Sequence, residues 1–219
     1  MAARHPSIEQ RDRFRFGPIA ISWGSDIEVR ITCPHGADLE LDGASADLSA
    51  AGRYGKVSAR TASGDLRLGE VEGRLQVKTA SGDVFAQAVR TDASVVTVSG
   101  DVEVERTDAP LTVRTVSGHV EIGRVSGAVT VQTTSGDVTL EAVEGGEVRI
   151  QTVSGDARVG VVEGVAVWMD AASVSGDLRS ELAQVEEPPE GSEPGVVPLH
   201  AKTVSGDVSF VRAGVRADA

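Results

Sequence analysis

One tripeptide recurs along this chain at nearly constant spacing. Ser-Gly-Asp or a close variant begins at Ser63, Ser81, Ser99, Ser117, Ser135, Ser154, Ser175 and Ser205, the first four intervals being 18 residues and the later ones 19, 21 and 30. A worn copy, Ser45-Ala46-Asp47, stands 18 residues ahead of Ser63. A period this short and steady dictates a stack of equivalent supersecondary units, and about nine of them are written here.

Aligning the units on their Ser gives apolar columns on both sides. Six and four residues before it stand pairs such as Val57 and Ala59, Leu75 and Val77, or Leu111 and Val113; three and five after it stand Leu66 and Leu68, Val84 and Ala86, or Val120 and Ile122. The positions between are polar, including Lys78, Arg114 and Gln132 before the turn and Arg67, Glu103 and Glu121 after it. Period-2 alternation on each side predicts two short strands per unit, each with one buried face. Gly in the first turn supplies a positive φ, and a second turn follows at places such as Glu72-Gly73, Ser126-Gly127 and Glu163-Gly164.

Two architectures satisfy this pattern: a parallel β-solenoid of about nine 18-residue coils, or an antiparallel β-meander in which each Ser-Gly-Asp closes a hairpin. The meander leaves a long apolar face with no amphipathic helix to cover it, whereas a coil folds its apolar columns inward. The expected fold is therefore a single all-β solenoid domain. It would be a rod of roughly 40 Å at about 4.8 Å per coil, right-handed by the rule for parallel crossovers. Its core must be aliphatic, because aromatic residues are only 3% of the chain.

Residues 1–26 read as an irregular N-terminal cap, with Arg4, Arg11, Arg13 and Arg15 among Phe14, Phe16 and Trp23. A strand through Ile27, Val29 and Ile31 then leads to the turn Cys33-Pro34-His35-Gly36. Residues 27–212 form the repeat domain and 213–219 a tail. Within the domain, 183–199 is an acidic, Pro-rich loop insertion around Glu186-Glu187-Pro188-Pro189-Glu190. Trp168-Met169, in an enlarged unit, marks a cap or a locally widened core.

A net charge of −12 argues against nucleic acid and anionic membranes as main partners. The lone Cys33 excludes an internal disulfide framework. No apolar run suggests membrane insertion or a secretion signal, so the cytoplasm is the default compartment.

The run "ITCPHGADLELDGASADLSAAGRYGKVSARTASGDLRLGEVEGRLQVKTASGDV" resembles a bacterial β-strand-repeat family of unknown function that carries an adhesin label. The shared pattern is a Pro-containing turn after an initial strand, then serial Thr-x-Ser-Gly-Asp-Val units across roughly residues 27–212. The resemblance implies a solenoid with an adhesion-type or envelope-associated role and no catalytic set. Departures are the missing signal peptide and His119 where the other units carry Asp. Bactofilin-like filament proteins are a second comparison, as short-coil β-helices without the Ser-Gly-Asp phase.

The repeated acids are the first chemical candidates. Asp65, Asp83, Asp101, Asp137, Asp156, Asp177 and Asp207 fall in one column, with His119 interrupting it. Stacked carboxylates one coil apart repel by roughly 1 kcal/mol per pair in a water-like dielectric, a cost that Ca²⁺ would remove. The second turn lacks the regular acids a calcium-binding repeat needs, so an Asx-type turn accepting backbone N–H groups is the simpler role. The Thr column alternates with the polar residues and should point inward as a ladder of hydroxyls bonded along the stack. Histidines 5, 35, 119 and 200 show no metal-ligand spacing. Arg60, Lys78, Arg114 and Lys202 share an outward column interrupted by Val96, Gln132, Gln151 and Ala172, which reads as a solvated face. Nothing in the repeats implies a cofactor or an enzyme. The expected function is a non-catalytic scaffold or binding module for a protein or glycan. Alternatives are a self-assembling structural protein joined through its ends, a calcium-binding repeat module and, last, a polysaccharide-acting enzyme.

Overall fold

A computed structural model of the chain describes residues 30–182 and 196–213. All regular structure in it is β-strand. In chain order the strands are β1 (Ala37–Ser45), β2 (Leu48–Ser63), β3 (Leu66–Val71), β4 (Leu75–Ser81), β5 (Val84–Val89), β6 (Ala93–Val96), β7 (Val102–Thr107) and β8 (Leu111–Arg114). There follow β9 (Val120–Val125), β10 (Val129–Gln132), β11 (Val138–Val143), β12 (Val148–Gln151) and β13 (Ala157–Val161). The last are β14 (Ala166–Ser175), β15 (Leu178–Ser180), β16 (Val196–Ser205) and β17 (Val208–Arg212).

Every strand pairing is parallel and joins equivalent positions of two units, as in the series Val57, Leu75, Ala93, Leu111, Val129 and Val148. This is the parallel solenoid, and the meander is excluded. Two sheets result. The first stacks β1, the second half of β2, β4, β6, β8, β10 and β12; the second stacks the first half of β2, β3, β5, β7, β9, β11 and β13. Between them lies one aliphatic core, with Leu66, Leu75, Leu111, Ile122, Leu140 and Ile150 among its largest fully buried side chains. Each such burial contributes about 1.5–3 kcal/mol before chain entropy is charged against it.

The expectation of about nine successive coils needs correction. The chain winds through about seven turns, and the last two units then stack in inverted order. β12 pairs with β16 and not with β14; β14 pairs on the far side of β16. Likewise β13 pairs with β17, and β15 lies beyond it. The final unit of the sequence is thus inserted between the seventh turn and the unit that precedes it in the chain. Its placement follows from composition. The inserted unit offers Val197, Leu199, Ala201, Val208 and Phe210 to the core, all buried. The unit left at the end has Ser173 where others carry Thr, and Ser180 where others carry Leu68, Val104, Ile122 or Phe210. An end coil has one uncovered side, so the more polar unit loses least there. Arg212 fastens the insertion, its Nη1 donating to the carbonyls of Val162 (3.2 Å) and Val165 (3.4 Å) in the segment that skips a layer.

The glycine of the corner is required by the stacking itself. Gly118 has φ 142°, and a Cβ there would sit 2.2 Å from the carbonyl oxygen of Gly100 one coil below. Ala46 is tolerated in the first unit, where no described coil lies beneath it.

Other expectations divide. The turn at Cys33–Gly36 is present, closed by Ala37 N donating to Pro34 O at 3.3 Å, but Ile31 lies outside any strand and is half exposed. Residues 196–199, placed in the loop insertion from sequence, are the start of β16. The cap at 1–26, the body of the insertion at 183–195 and the tail from 214 lie outside the described residues.

Candidate interaction face

The corner residues come first, because the sequence offers them as a site. In the structure their polar groups are used in holding one coil on the next. Asp83 N donates to Asp65 Oδ1 (3.1 Å), Asp101 N to Asp83 Oδ1 (2.9 Å), and Asp156 N to Asp137 Oδ1 (2.9 Å). The ladder ends with Asp207 N to Asp156 and Asp177 N to Asp207, both 2.8 Å. One carboxylate oxygen of each such Asp except the terminal Asp177 therefore accepts a bond from a neighbouring coil, and not from its own turn as an Asx-turn would have it. His119 continues the ladder: its N donates to Asp101 Oδ1 (2.8 Å), and its Nδ1 accepts from Asp137 N (3.2 Å). That geometry assigns the proton of the neutral ring to Nε2. The stack brings Asp65, Asp83, Asp101, Asp137, Asp156, Asp207 and Asp177 into one line, yet no three His, Cys, Asp or Glu side chains among the described residues converge as a cation site.

The Thr column is buried, as expected, from Thr97 at 2% exposure to Thr61 at 8%. Its hydroxyls do not bond along the stack. From Thr61 to Thr133 each turns back into its own corner, as when Thr61 Oγ1 donates to Ser63 O (2.8 Å) and Thr79 Oγ1 to Ser81 O (3.0 Å); Ser173, in the end coil, instead donates to Gly206 O of the neighbouring coil (3.1 Å). Thr152 and Thr203, on the seventh turn and the inserted unit, have hydroxyls without a partner among the described residues.

With the corner committed to structure, the outer surface of the first sheet stands out. From the second half of β2 to β16, its outward positions are three per coil: Ser58, Arg60 and Ala62, then Gln76, Lys78 and Ala80, and so on to His200, Lys202 and Val204. Through this span the outward positions carry no carboxylate, although the chain as a whole bears a net charge of −12. Glu40 and Asp42 of β1 bound the strip at one end and Asp170 of β14 at the other. The side chains of Arg60, Lys78 and Arg114 are exposed and form no ion pair or hydrogen bond among the described residues. Along one margin run Val98, Val116, Val153 and Val204, each about half exposed, and Val174 at 82%.

At its Asp170 end the strip deepens into a hollow of about 270 Å³ lined by Arg149, Gln151, Asp170, His200 and Lys202. His200 Nδ1 lies 3.4 Å from Asp170 Oδ2, its Nε2 3.7 Å from Glu147 Oε1, and Lys202 Nζ 3.7 Å from Asp170 Oδ2. Arg149 pairs with the same Glu147. The indole of Trp168 meets the His200 ring edge-on, at 5.3 Å between centroids and 70° between planes. Trp168 is thus on the outside, beside the hollow, and does not widen the core. Sequence reading missed this cluster because its members come from units made adjacent only by the inverted order. The carboxylate-free strip was readable, had the outward columns been compared for charge as the inward ones were for apolarity.

These features define a class: an all-β parallel solenoid with structural corners and one low-acid outer face. The family follows from the comparisons. The Toastrack DUF4097 family, a domain of unknown function, matches residues 7–212, and the chain belongs to it. No curated protein and no solved structure matches. Among the described residues no helix is long and apolar enough to cross a membrane.

Proposed function

We propose that this chain is a non-catalytic binding module, adhesin-like in presenting the face of a rigid rod to a protein or glycan partner. The supporting observation is the division of labour between corner and face. Thr and Asp of the corner are repeated on coil after coil and most are bonded to backbone, while the corner Ser side chains, repeated as often, are exposed. Arg60, Lys78 and Arg114 are held in a row and bonded to nothing among the described residues. Exposed and unpaired among the described residues, such a row adds nothing favourable to the stack that the structure shows, which supports a use outside the fold. Photo-crosslinking residues placed at Gln76 on this face and at Glu121 on the other sheet test the reading in native lysate. Adducts to a defined partner from position 76 and not from 121 are expected; equal or absent capture at both positions overturns it.

A self-assembling role is the second reading, and one observation favours it. The end coil exposes half of Leu178, whose equivalents Val208 and Val120 are buried. A hollow of about 180 Å³ there is lined by Met169, Leu178 and Phe210. Stacking of another copy on this end would cover it, and light scattering at rising concentration would show open-ended growth.

A further inference from the structure

We propose that the carboxylate-free face binds a linear anionic polysaccharide laid along the rod axis, its acidic groups against Arg60, Lys78 and Arg114 and its hydroxyls against the polar side chains between them. The proposal deepens the binding-module reading and rests on it. Three observations select this partner. The face repeats: its three outward positions recur about every 4.8 Å for some seven coils, a strip of roughly 35 Å, with the central one cationic at Arg60, Lys78, Arg114 and Lys202. A globular partner reads a patch, whereas a polymer of short repeat makes the same contact at coil after coil.

The face also has a sign. Three of its cations, Arg60, Lys78 and Arg114, have no counter-ion among the described residues, while Arg149 and Lys202 toward one end are paired with Glu147 and Asp170. Elsewhere on the rod most cations are already neutralised, as Arg90 and Arg106 are by Asp108. Lys56 and Arg158 have no side-chain partner among the described residues either, but they stand outside the strip.

Finally, the charges are sparse. Ser58, Ser94, Thr112, Thr130, Gln132 and Gln151 outnumber the free cations. A nucleic acid strand carries a phosphate on every nucleotide and needs denser cationic cover. An acidic glycan presents many hydroxyls and CH edges for each charge. The Ser, Thr and Gln columns match the hydroxyls, and the valine margin matches the apolar sugar edges.

Calorimetric titration of the full chain with oligogalacturonate tests this, using neutral malto-oligosaccharide, poly-glutamate and oligo-thymidylate as comparison probes. Saturable binding of oligogalacturonate is expected, weakening as salt rises. Arg60→Gln/Lys78→Gln/Arg114→Gln should weaken it about tenfold or more, the equivalent of some 1.4 kcal/mol. Arg67→Gln/Arg158→Gln/Arg179→Gln, which changes the net charge equally on the other sheet, should leave it within about twofold. Both triples alter exposed side chains, and an unchanged melting temperature confirms that each folds. Equal loss in the two triples would reduce the effect to net charge and overturn the proposal. So would equal binding of the neutral sugar, or no binding of any anionic polymer. Tighter binding of poly-glutamate or oligo-thymidylate would replace the glycan by an acidic peptide or a nucleic acid. A silent titration combined with crosslinks from position 76 would remove the glycan and leave the binding-module reading standing.

Discussion

The two outer surfaces of the same coils are built on opposite electrostatic plans. On the second sheet and the turn that follows it, charges from successive coils interlock. Asp108 accepts from Arg90 Nη1 one coil below and from Arg106 Nε in its own coil, both at 2.8 Å. Ser126 Oγ donates to Glu144 (2.9 Å), which also lies 3.3 Å from Arg124. The hydrogen bond and nearby carboxylate of Asp108 hold the Arg106 guanidinium above its usual pKa. On the first sheet the register places Arg60 directly beside Lys78, a like-charge pair with no acid between. The Asp108 and Glu144 clusters fasten coil to coil, whereas the Arg60–Lys78 pair opposes stacking, as Glu103 beside Glu121 does on the second sheet. A solenoid repeats its backbone faithfully, so this difference is carried entirely by outward side chains.

The largest effect should come from the corner that both surfaces share. Gly118→Ala would force a positive φ on a residue with a Cβ and drive that atom into Gly100 O. A loss of about 3 kcal/mol or more is expected in urea denaturation. A loss under about 1 kcal/mol would mean that coils slide past the clash, and that neither surface is held in register by its glycines.

Next in size is the interlocked surface. Asp108→Ala removes the acceptor of two guanidinium groups and should cost about 1 kcal/mol, less at high salt because the pairs are partly exposed. At the corner, His119→Leu leaves Asp137 N without its acceptor and should cost about 1 kcal/mol, whereas His119→Asp restores a carboxylate and should change stability little. Equal effects of the two substitutions would show that the ladder bond at this coil is not supported by the side chain.

The sequence was most legible where the repeat is most regular. Inward and outward positions, the corner glycines and the parallel stacking follow from period 2 and period 18 together, because a slip of one residue would expose every buried column. The inverted order of the last units was not legible in the same way. All units share one corner, so any unit can pair with any other, and register carries no information about which neighbour is chosen. The clue lay in Ser173 and Ser180, polar substitutes that suit an end coil, together with the longer interval between Ser175 and Ser205. The hydroxyl bonding of the Thr column escaped for a related reason. Phase fixes which way Thr97 points, but only the corner's backbone shape places the Ser99 carbonyl within its reach, at 3.2 Å. His119 looked like an interruption because residue type was compared, when the property retained is an acceptor atom.

The smallest expected effect separates the two surfaces most cleanly, because it differs in sign. Lys78 stands one coil from Arg60, and two unit charges about 4.8 Å apart repel by just under 1 kcal/mol in a water-like dielectric. Lys78→Gln relieves that repulsion while keeping the aliphatic stem and a polar end. Its cost in net charge is spread over the whole rod and falls off beyond a Debye length of about 10 Å at 0.1 M salt. The variant should therefore be more stable than the parent by a few tenths of a kcal/mol at low salt, the gain fading as salt is added. Asp108→Ala moves the other way: its loss is largest at low salt. Paired urea melts of the two variants at low and high ionic strength would read the contrast directly. Were Lys78→Gln destabilising at low salt, the first sheet's cations would be stabilising the stack after all, and the case for reserving that face for a partner would lose its footing.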